Sequence, residues 1–510
     1  MSHSFIYFVN NNKEVEGEIM DHIKRKIDHN FKFIEENLGN SADIVKRKME
    51  VNGTEIGYIY LESVASDDKI SNFFMKDISS YIKNKKKPFF DEIFDSLENT
   101  IPNSHLKVVE KKEELFYLLS GGYTCIFVEG EKKALAIETK TTLDRGVQES
   151  SSEAVVRGPK DSFTENHNVN LGLIRKRIKD KNLWMQEMKI GRRTQSKVTV
   201  SYLKDVVDPN LVERIMHDLK KIDIDGILDS GYVREFLLKG KRSFFPQFVS
   251  TERPDLASMS ILEGKVVILV ENSPYVLIVP GLLIDFMHTP EDEYQKPINV
   301  TFVRILRTLS FFLTIFLPGL YVALTTFNQE IIPNELLISL AVQREGVPFP
   351  TAVETLMMII TFELLRESDI RIPNASGSSI GIVGALVLGE AAVTAGIVSP
   401  IVIIIIGVTS ISGLLFTDID MVNGIRWWRI IVVLFSCSMG IIGFVAVFLL
   451  FIIKLCSLEY NGVPYLAPIA PFNLEAEKDA IVKFPRFKLK KRPSYLTNTN
   501  QTRLRDKNEN

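Results

Sequence analysis

The chain has 510 residues, a net charge of −2 and 45% hydrophobic residues. That length allows for about three domains, and the near-neutral charge gives no reason to expect a nucleic-acid partner. Cys125, Cys437 and Cys456 lie far apart in sequence, which excludes a disulfide framework and a cysteine zinc site.

The opening residues, MSHSFIYFVNNNKEVEG, have no basic stretch followed by an apolar core. No secretory signal is expected, and the N-terminal part should stay in the cytoplasm. Residues 13–37 put Ile19, Ile23, Ile27, Phe31 and Ile34 on one helical face. This is a lead-in helix (1–38) that packs on the first domain. Lys48–Val51 and Gly57–Val64 are strands around Asn52-Gly53, a strong hairpin signal. Helices follow at Asp67–Asn84 and Lys111–Ser120, then strands at Tyr123–Glu129 and Lys133–Thr139.

The same order returns after residue 180. One ungapped offset of 142 places Tyr60-Leu61, Val64 and Ile70 on Tyr202-Leu203, Val206 and Val212. It also places Gly122, Ile126, Val128 and Glu129 on Gly264, Ile268, Val270 and Glu271. A single register serving two distant blocks favours two tandem related α/β soluble domains, 39–142 and 173–298. Between them, 143–172 is polar. Composition leaves two readings of it: a solvated linker, or a contact segment in which Arg157 and Lys160 flank a stiff Gly-Pro turn.

From 299 to 475 the chain reads as an α-helical multi-span membrane domain. Clean apolar spans cover 305–325, interrupted by Pro318-Gly319, then 380–398, 401–416 and 429–454. Trp427-Trp428 opens the last span, as at a membrane interface. Tyr460–Phe472 carries Gly462, Pro464, Pro468 and Pro471 and reads as an extended surface segment. In the basic tail (476–510), eight Lys or Arg and no acid lie between Ile481 and Arg505. Arg304 and Arg307 precede the first span, so both ends should be cytoplasmic and the crossings even in number. The more polar helix 351–368 is then re-entrant or interfacial, or pairs with Glu335–Val342.

That helix carries the candidate site. A rotation of about 100° per residue sets Thr351, Glu354, Met358, Thr361 and Leu365 on one stripe. It lines an aqueous path or belongs to an interfacial helix. Glu363 lies opposite, within a turn of Arg366, as a structural ion pair. Glu390, among small residues, faces an ion path or is tied up between packed helices. Gly377–Gly381 matches G-x-S-x-G but lacks the strand-turn-helix setting and the partners of a nucleophile elbow. No catalytic residue, metal site or cofactor is expected, so the chain reads as a non-enzyme.

Four stretches resemble the A subunit of GerA-type bacterial spore germinant receptors. They are SSSEAVVRGPKDSFTENHNVNLGLIRKRI (Ser150–Ile178), Phe349–Pro373 with E…E-L-L-R-E-S…R-I-P, IGIVGALVLGEAAVTAGIVSP (Ile380–Pro400) and GVPYLAPIAP (Gly462–Pro471). Where the family commonly has glutamine, this chain has Glu390. The resemblance implies a nutrient-responsive receptor in the spore inner membrane, with cytoplasmic α/β domains. It also implies a transporter-like B subunit and a lipoprotein C subunit as partners, and homo-oligomerisation around a gated ion-conducting pore. Arg157 and Lys160 are then expected at an interdomain or subunit contact. The other reading is a membrane scaffold or transporter-like subunit whose partner forms the pathway.

Overall fold

The computed structural model describes residues 22–51, 54–72, 106–141, 153, 155, 157–238, 243–371, 387–473, 478–497 and 500–504. They fall into two units, one of Met1–Gly240, Ser250–Val279 and Arg492–Gln501, the other of Lys241–Val249, Pro280–Lys491 and Thr502–Asn510.

The first unit contains two five-stranded sheets. β1 (Ile44–Val51) and β2 (Thr54–Leu61) pair antiparallel with Val51 opposite Thr54. The two-residue connection is the length that suits a tight hairpin. β3 (Leu106–Val109), β4 (Tyr123–Val128) and β5 (Ala134–Glu138) complete the order β1-β2-β4-β5-β3. Helices α1 (Ile27–Asn37), α2 (Asp67–Asn72) and α3 (Lys112–Ser120) accompany this sheet. Ile27, Phe31 and Ile34 of the lead-in face are buried on α1; Ile23 is buried too, but 22–26 is not helical, as His22 bridges Lys111 and the helix begins only at Ile27, while 13–21 lies outside the described residues.

The second sheet is built from β6 (Leu183–Ile190), β7 (Ser196–Leu203), β8 (Val249–Thr251), β9 (Val266–Val270) and β10 (Val276–Val279), in the order β6-β7-β9-β10-β8. It is the order of the first sheet, element for element. Its helices are α4 (His167–Arg177), α5 (Pro209–Lys220), α6 (Ser230–Leu238) and α7 (Pro254–Glu263). Gly122 (φ +86°) follows α3 and leads into β4; Gly264 (φ +103°) follows α7 and leads into β9. Every residue of β9 is buried, so its continuous Val/Ile/Leu run reflects cover on both faces. Each such side chain contributes about 1.5–3 kcal/mol.

The stretch before α4 is not a solvated linker where it is described. Phe163 and Ser162 are fully buried, and the Phe163 N–H donates to the Glu252 carbonyl at 2.7 Å. Asn166 caps α4 through its side-chain oxygen. The tail also folds back within this unit. Arg492 Nε donates to the Leu262 carbonyl at 2.8 Å, and Asn500 donates to Asp205 at 3.1 Å.

The second unit is helical. α8 (Leu283–Met287) precedes α9 (Pro297–Thr326), which continues through Pro318. A Cβ on Gly319 would sit 2.5 Å from Val432, so the bare glycine is what lets the next long helix approach. α10 (Asn334–Arg344), α11 (Thr351–Arg371), a helical stretch over 387–394, α12 (Pro400–Gly413) and α13 (Ile419–Ser457) follow.

α9 and α13 are apolar over enough length to cross a membrane. α13 is not one span, however. Gly440 has φ +61° and ψ −138°, values that only glycine adopts without strain. Trp428 and Phe451 have ring centroids 5.0 Å apart, whereas 23 residues of straight helix would separate them by about 35 Å. The chain therefore folds back at Gly440 into two arms, 419–439 and 441–457. Asn328 Oδ1 accepts from the Ile441 N–H at 3.2 Å and caps the returning arm. The single span expected over 429–454 is corrected accordingly, because an uninterrupted apolar run does not reveal a turn made by one glycine.

The arms also fix directions. Phe311 meets Phe451 and Phe316 meets Phe444 and Phe448, while Gly440 abuts Phe327. The returning arm thus runs antiparallel to α9, and α13 begins and ends at the N-terminal end of α9. Tyr460–Phe472 is likewise not an extended segment. Glu459–Tyr460 pairs with Val463–Pro464 across Asn461-Gly462, and Tyr465 is buried.

Candidate functional site

The expected stripe on α11 divides in two. Thr351, Glu354 and Met358 are buried by this chain's own helices, Glu354 at 0% and Met358 at 3% exposure. Glu354 Oε2 accepts from the Ser399 N–H at 3.0 Å and from its hydroxyl at 2.9 Å. Ser399 is the N-cap of α12, so the carboxylate satisfies a helix start whose N–H groups would otherwise be bare. Arg344 on α10 approaches Glu354 Oε1 at 3.6 Å. Met358 packs with Tyr321, Val322, Val398, Val402 and Val433. Glu354 and Met358, expected on a stripe lining a path, are thus both covered by side chains of this chain's own helices. Thr361 and Leu365 are half-buried, and Thr361 donates back to the Met357 carbonyl at 2.9 Å. Glu390, on the 387–394 stretch, is exposed.

Glu363 does not rely on Arg366. It reaches across to α13, where Arg429 Nη2 donates to its Oε1 and Arg426 Nε lies 2.7 Å from its Oε2. Arg366 stays close, near Gly413 at the end of α12.

In the first unit Arg157 and Lys160, expected at a contact, are both exposed, and Lys160 has an interaction of its own. Arg253 Nη2 donates to the Pro159 carbonyl at 3.0 Å, and Arg177 pairs with Asp161 at 2.6 Å. Backbone and acid groups of the same stretch thus make contacts beside its cations. Glu153 accepts from the Thr251 hydroxyl at 2.6 Å; burial pushes its carboxyl up to about 7, against the pull of Thr251 and Arg253. The two sheets are joined by Arg175 of α4, whose Nε and Nη2 donate to Asp43 at 2.6 and 2.8 Å. Burial alone would raise the Asp43 carboxyl, but the Arg175 charge and hydrogen bonds hold it below its usual range.

At the start of α9, Arg304 and Arg307 are buried in a network of ion pairs and hydrogen bonds. Both bind Asp292, and Arg304 also donates to the carbonyls of Asp479 and Ala480 at 2.7 and 2.9 Å. Lys483 Nζ reaches Glu293 at 2.6 Å. The basic tail is strapped across the base of the first long helix by acids from the 290–293 turn. Burial pushes the His288 imidazole down while its Nε2 meets the Ala480 carbonyl at 2.8 Å.

Residues 32–495 match the model of the Bacillus/Clostridium GerA spore germination protein family. The chain belongs to the GerA family. It is 36% identical over 469 residues to spore germination protein KA of Bacillus subtilis, covering 91% of this chain and 86% of that protein. It is 32% identical over 498 residues to spore germination protein GerLA of Bacillus cereus, covering 96% and 98%. The N-terminal domain of the A subunit of the Bacillus megaterium spore germinant receptor GerK3 matches at 30% identity and a TM-score of 0.41, covering 51% of this chain and 97% of that one. The GerA match runs through both units, so the sheets and the helices belong to one family pattern.

Within this GerA-family chain, Asp43, Arg175, Arg253, Arg426 and Arg429 went unread in the sequence. Asp43 and Arg175 are 132 residues apart, with no local pattern linking them. Arg426 and Arg429 flank the conspicuous tryptophans, and their i,i+3 spacing was the available signal.

Proposed function

We propose that this chain is the A-type subunit of a spore germinant receptor, and that several copies assemble around a gated ion-conducting pore in the spore inner membrane. Membership of the GerA family supports the germination role. The observation that carries the pore reading is Glu390: an exposed carboxylate on a stretch between apolar helices. Such a group is costly against acyl chains and belongs against water or a neighbouring copy. α12, about 21 Å long, is shorter than a bilayer core and suits a wall built jointly by several copies.

In this reading α9, α11, the stretch ending at 394, α12 and the two arms of α13 make six passages. Arg366 and Thr314 both lie near Gly413, and Glu354 meets Ser399 at the other end of α12. α11 and α12 therefore run in the same direction, and the reading places one further passage between them. An even count puts both ends on one side, and the cations at 304, 307 and 483–492 make that side cytoplasmic. A transporter-like B subunit and a lipoprotein C subunit are the partners this role calls for.

The burial of Glu354 and Met358 within one chain favours the second reading, in which this subunit is a scaffold and a partner carries the path. Ion flux through liposomes holding the full chain, alone and with partners, separates the two. Flux that Glu390→Gln alters supports the pore; flux that appears only with the partner and ignores Glu390→Gln supports the scaffold.

A further inference from the structure

We propose that Arg366, Arg426 and Arg429 form a binding site for the phosphate of an anionic phospholipid. The argument starts from charge. Arg426 and Arg429, from the first arm of α13, both pair with one carboxylate, Glu363 of α11, and Arg366 adds a third guanidinium within electrostatic reach of that carboxylate and of Arg426. Guanidiniums do not shed their charge in proteins, and an uncompensated cation at membrane depth is expensive. Among the described residues, other acids of these helices are already engaged: Asp418 caps α13 through the Met421 N–H at 2.8 Å. Glu367 and Asp420 have interactions of their own.

Hydrogen bonding shows the same shortfall. Arg426 Nε and Glu363 Oε2 are close but misaligned, so neither makes a hydrogen bond, and Arg429 Nε is buried without an acceptor. Buried donors nearly always find an acceptor. Arg429 Nε, on a side chain only 8% exposed, is a buried donor that asks for an acceptor bringing negative charge. Arg426 is 27% exposed and provides the opening.

The surroundings decide which anion. Leu364, Ile411, Leu414, Leu415 and Ile419 are exposed around the cluster, and Trp427 is half-exposed at the same turn as Arg426. A free ion has no use for that rim. A phosphate attached to acyl chains does, and paired tryptophans mark the depth where headgroups lie. The proposal rests on the membrane reading of the helical unit.

The test uses the full chain in nanodiscs of phosphatidylcholine mixed with phosphatidylglycerol. The lipid retained after detergent extraction is counted by native mass spectrometry. Wild type should keep phosphatidylglycerol preferentially. Arg366→Gln and Arg426→Gln should each weaken that retention about fivefold, the effect of roughly one basic contact. Arg426→Lys should largely restore it, which separates lost charge from lost folding. Lys488→Gln, in the tail, should leave it unchanged. Equal retention in every variant overturns the site while leaving the membrane reading intact. If inorganic phosphate displaces the lipid and stabilises the chain equally in pure phosphatidylcholine, the anion is a free one and the lipid assignment fails. If Arg366→Gln breaks an oligomer without altering lipid retention, a neighbouring chain's carboxylate fills the site, and the proposal fails.

Discussion

Arg175 and Asp43 face each other as a fully buried pair, joined by two hydrogen bonds of 2.6 and 2.8 Å. Ser41 and Ser63 fill the remaining positions on the carboxylate. The pair ties α4 to the chain entering the first sheet, so it holds the two α/β layers in register. Removing one partner leaves a bare buried charge. Arg175→Ala should cost about 3–5 kcal/mol. Arg175→Met with Asp43→Leu should recover much of that loss. Thermal unfolding of the full chain, followed by a probe in the lobes, distinguishes the two.

The same pair has a pH signature. The Asp43 pKa is lowered in the fold, so its contribution is present above the unfolded value, about 3.9. It is lost as pH falls through the folded value. Acid unfolding of the lobes should therefore begin below about pH 4 and become shallower in Asp43→Asn.

Glu153 has the opposite sign. Its folded value is raised to about 7 from 4.5. The stability it contributes is fully present below about 4.5 and is lost as pH rises through about 7. Protease cleavage in the stretch before α4 should increase from pH 5 to pH 8 in the wild type. In Glu153→Gln the rate should stay flat across that range. A flat wild-type profile would remove Glu153 from any role in seating the stretch.

The fold-back at Gly440 can be checked by distance. Cysteines at positions 428 and 451, with the native cysteines replaced, should be joined by a short thiol crosslinker. A continuous span would hold them about 35 Å apart and give none. Gly440→Ala should cost about 1–3 kcal/mol through backbone strain, and more because the new methyl meets Phe327 at 2.7 Å.

Glu354 and Met358 should behave as bundle residues. Met358→Ala leaves a cavity and should destabilise the helical unit by about 2–5 kcal/mol. It should show in protein level and melting before it shows in conductance. Glu354→Ala strips the cap from α12; Glu354→Gln keeps one acceptor and should be milder. Normal melting with raised leak in Met358→Ala would return this face to the pathway.

These cases show what the sequence could carry. The strands at 44–61 and 123–138 were legible because alternation and Asn52-Gly53 are local signals. The 142-residue offset was legible because it needs no contacts. The burial of Glu354 was not, because a polar stripe has the same period whether it meets water or the Ser399 cap. Nor was the Glu363 pairing, which depends on how α13 lies beside α11. Phe163, one aromatic in a polar stretch, gave no periodicity that would announce a buried anchor.

The strap over α9 also has a consequence in time. Arg304 leaves the ribosome 175 residues before Asp479, the partner that completes its hydrogen bonds. At about 5–20 residues per second, the first long helix waits roughly 10–35 seconds for the residues that close its base. Through that interval the chain holds a half-satisfied guanidinium beside Asp292, and a late-made segment acts as the latch on the first long helix. A nascent chain cut short of Asp479 would carry α9 to α13 and still lack the contacts that Arg304 makes with Asp479 and Ala480.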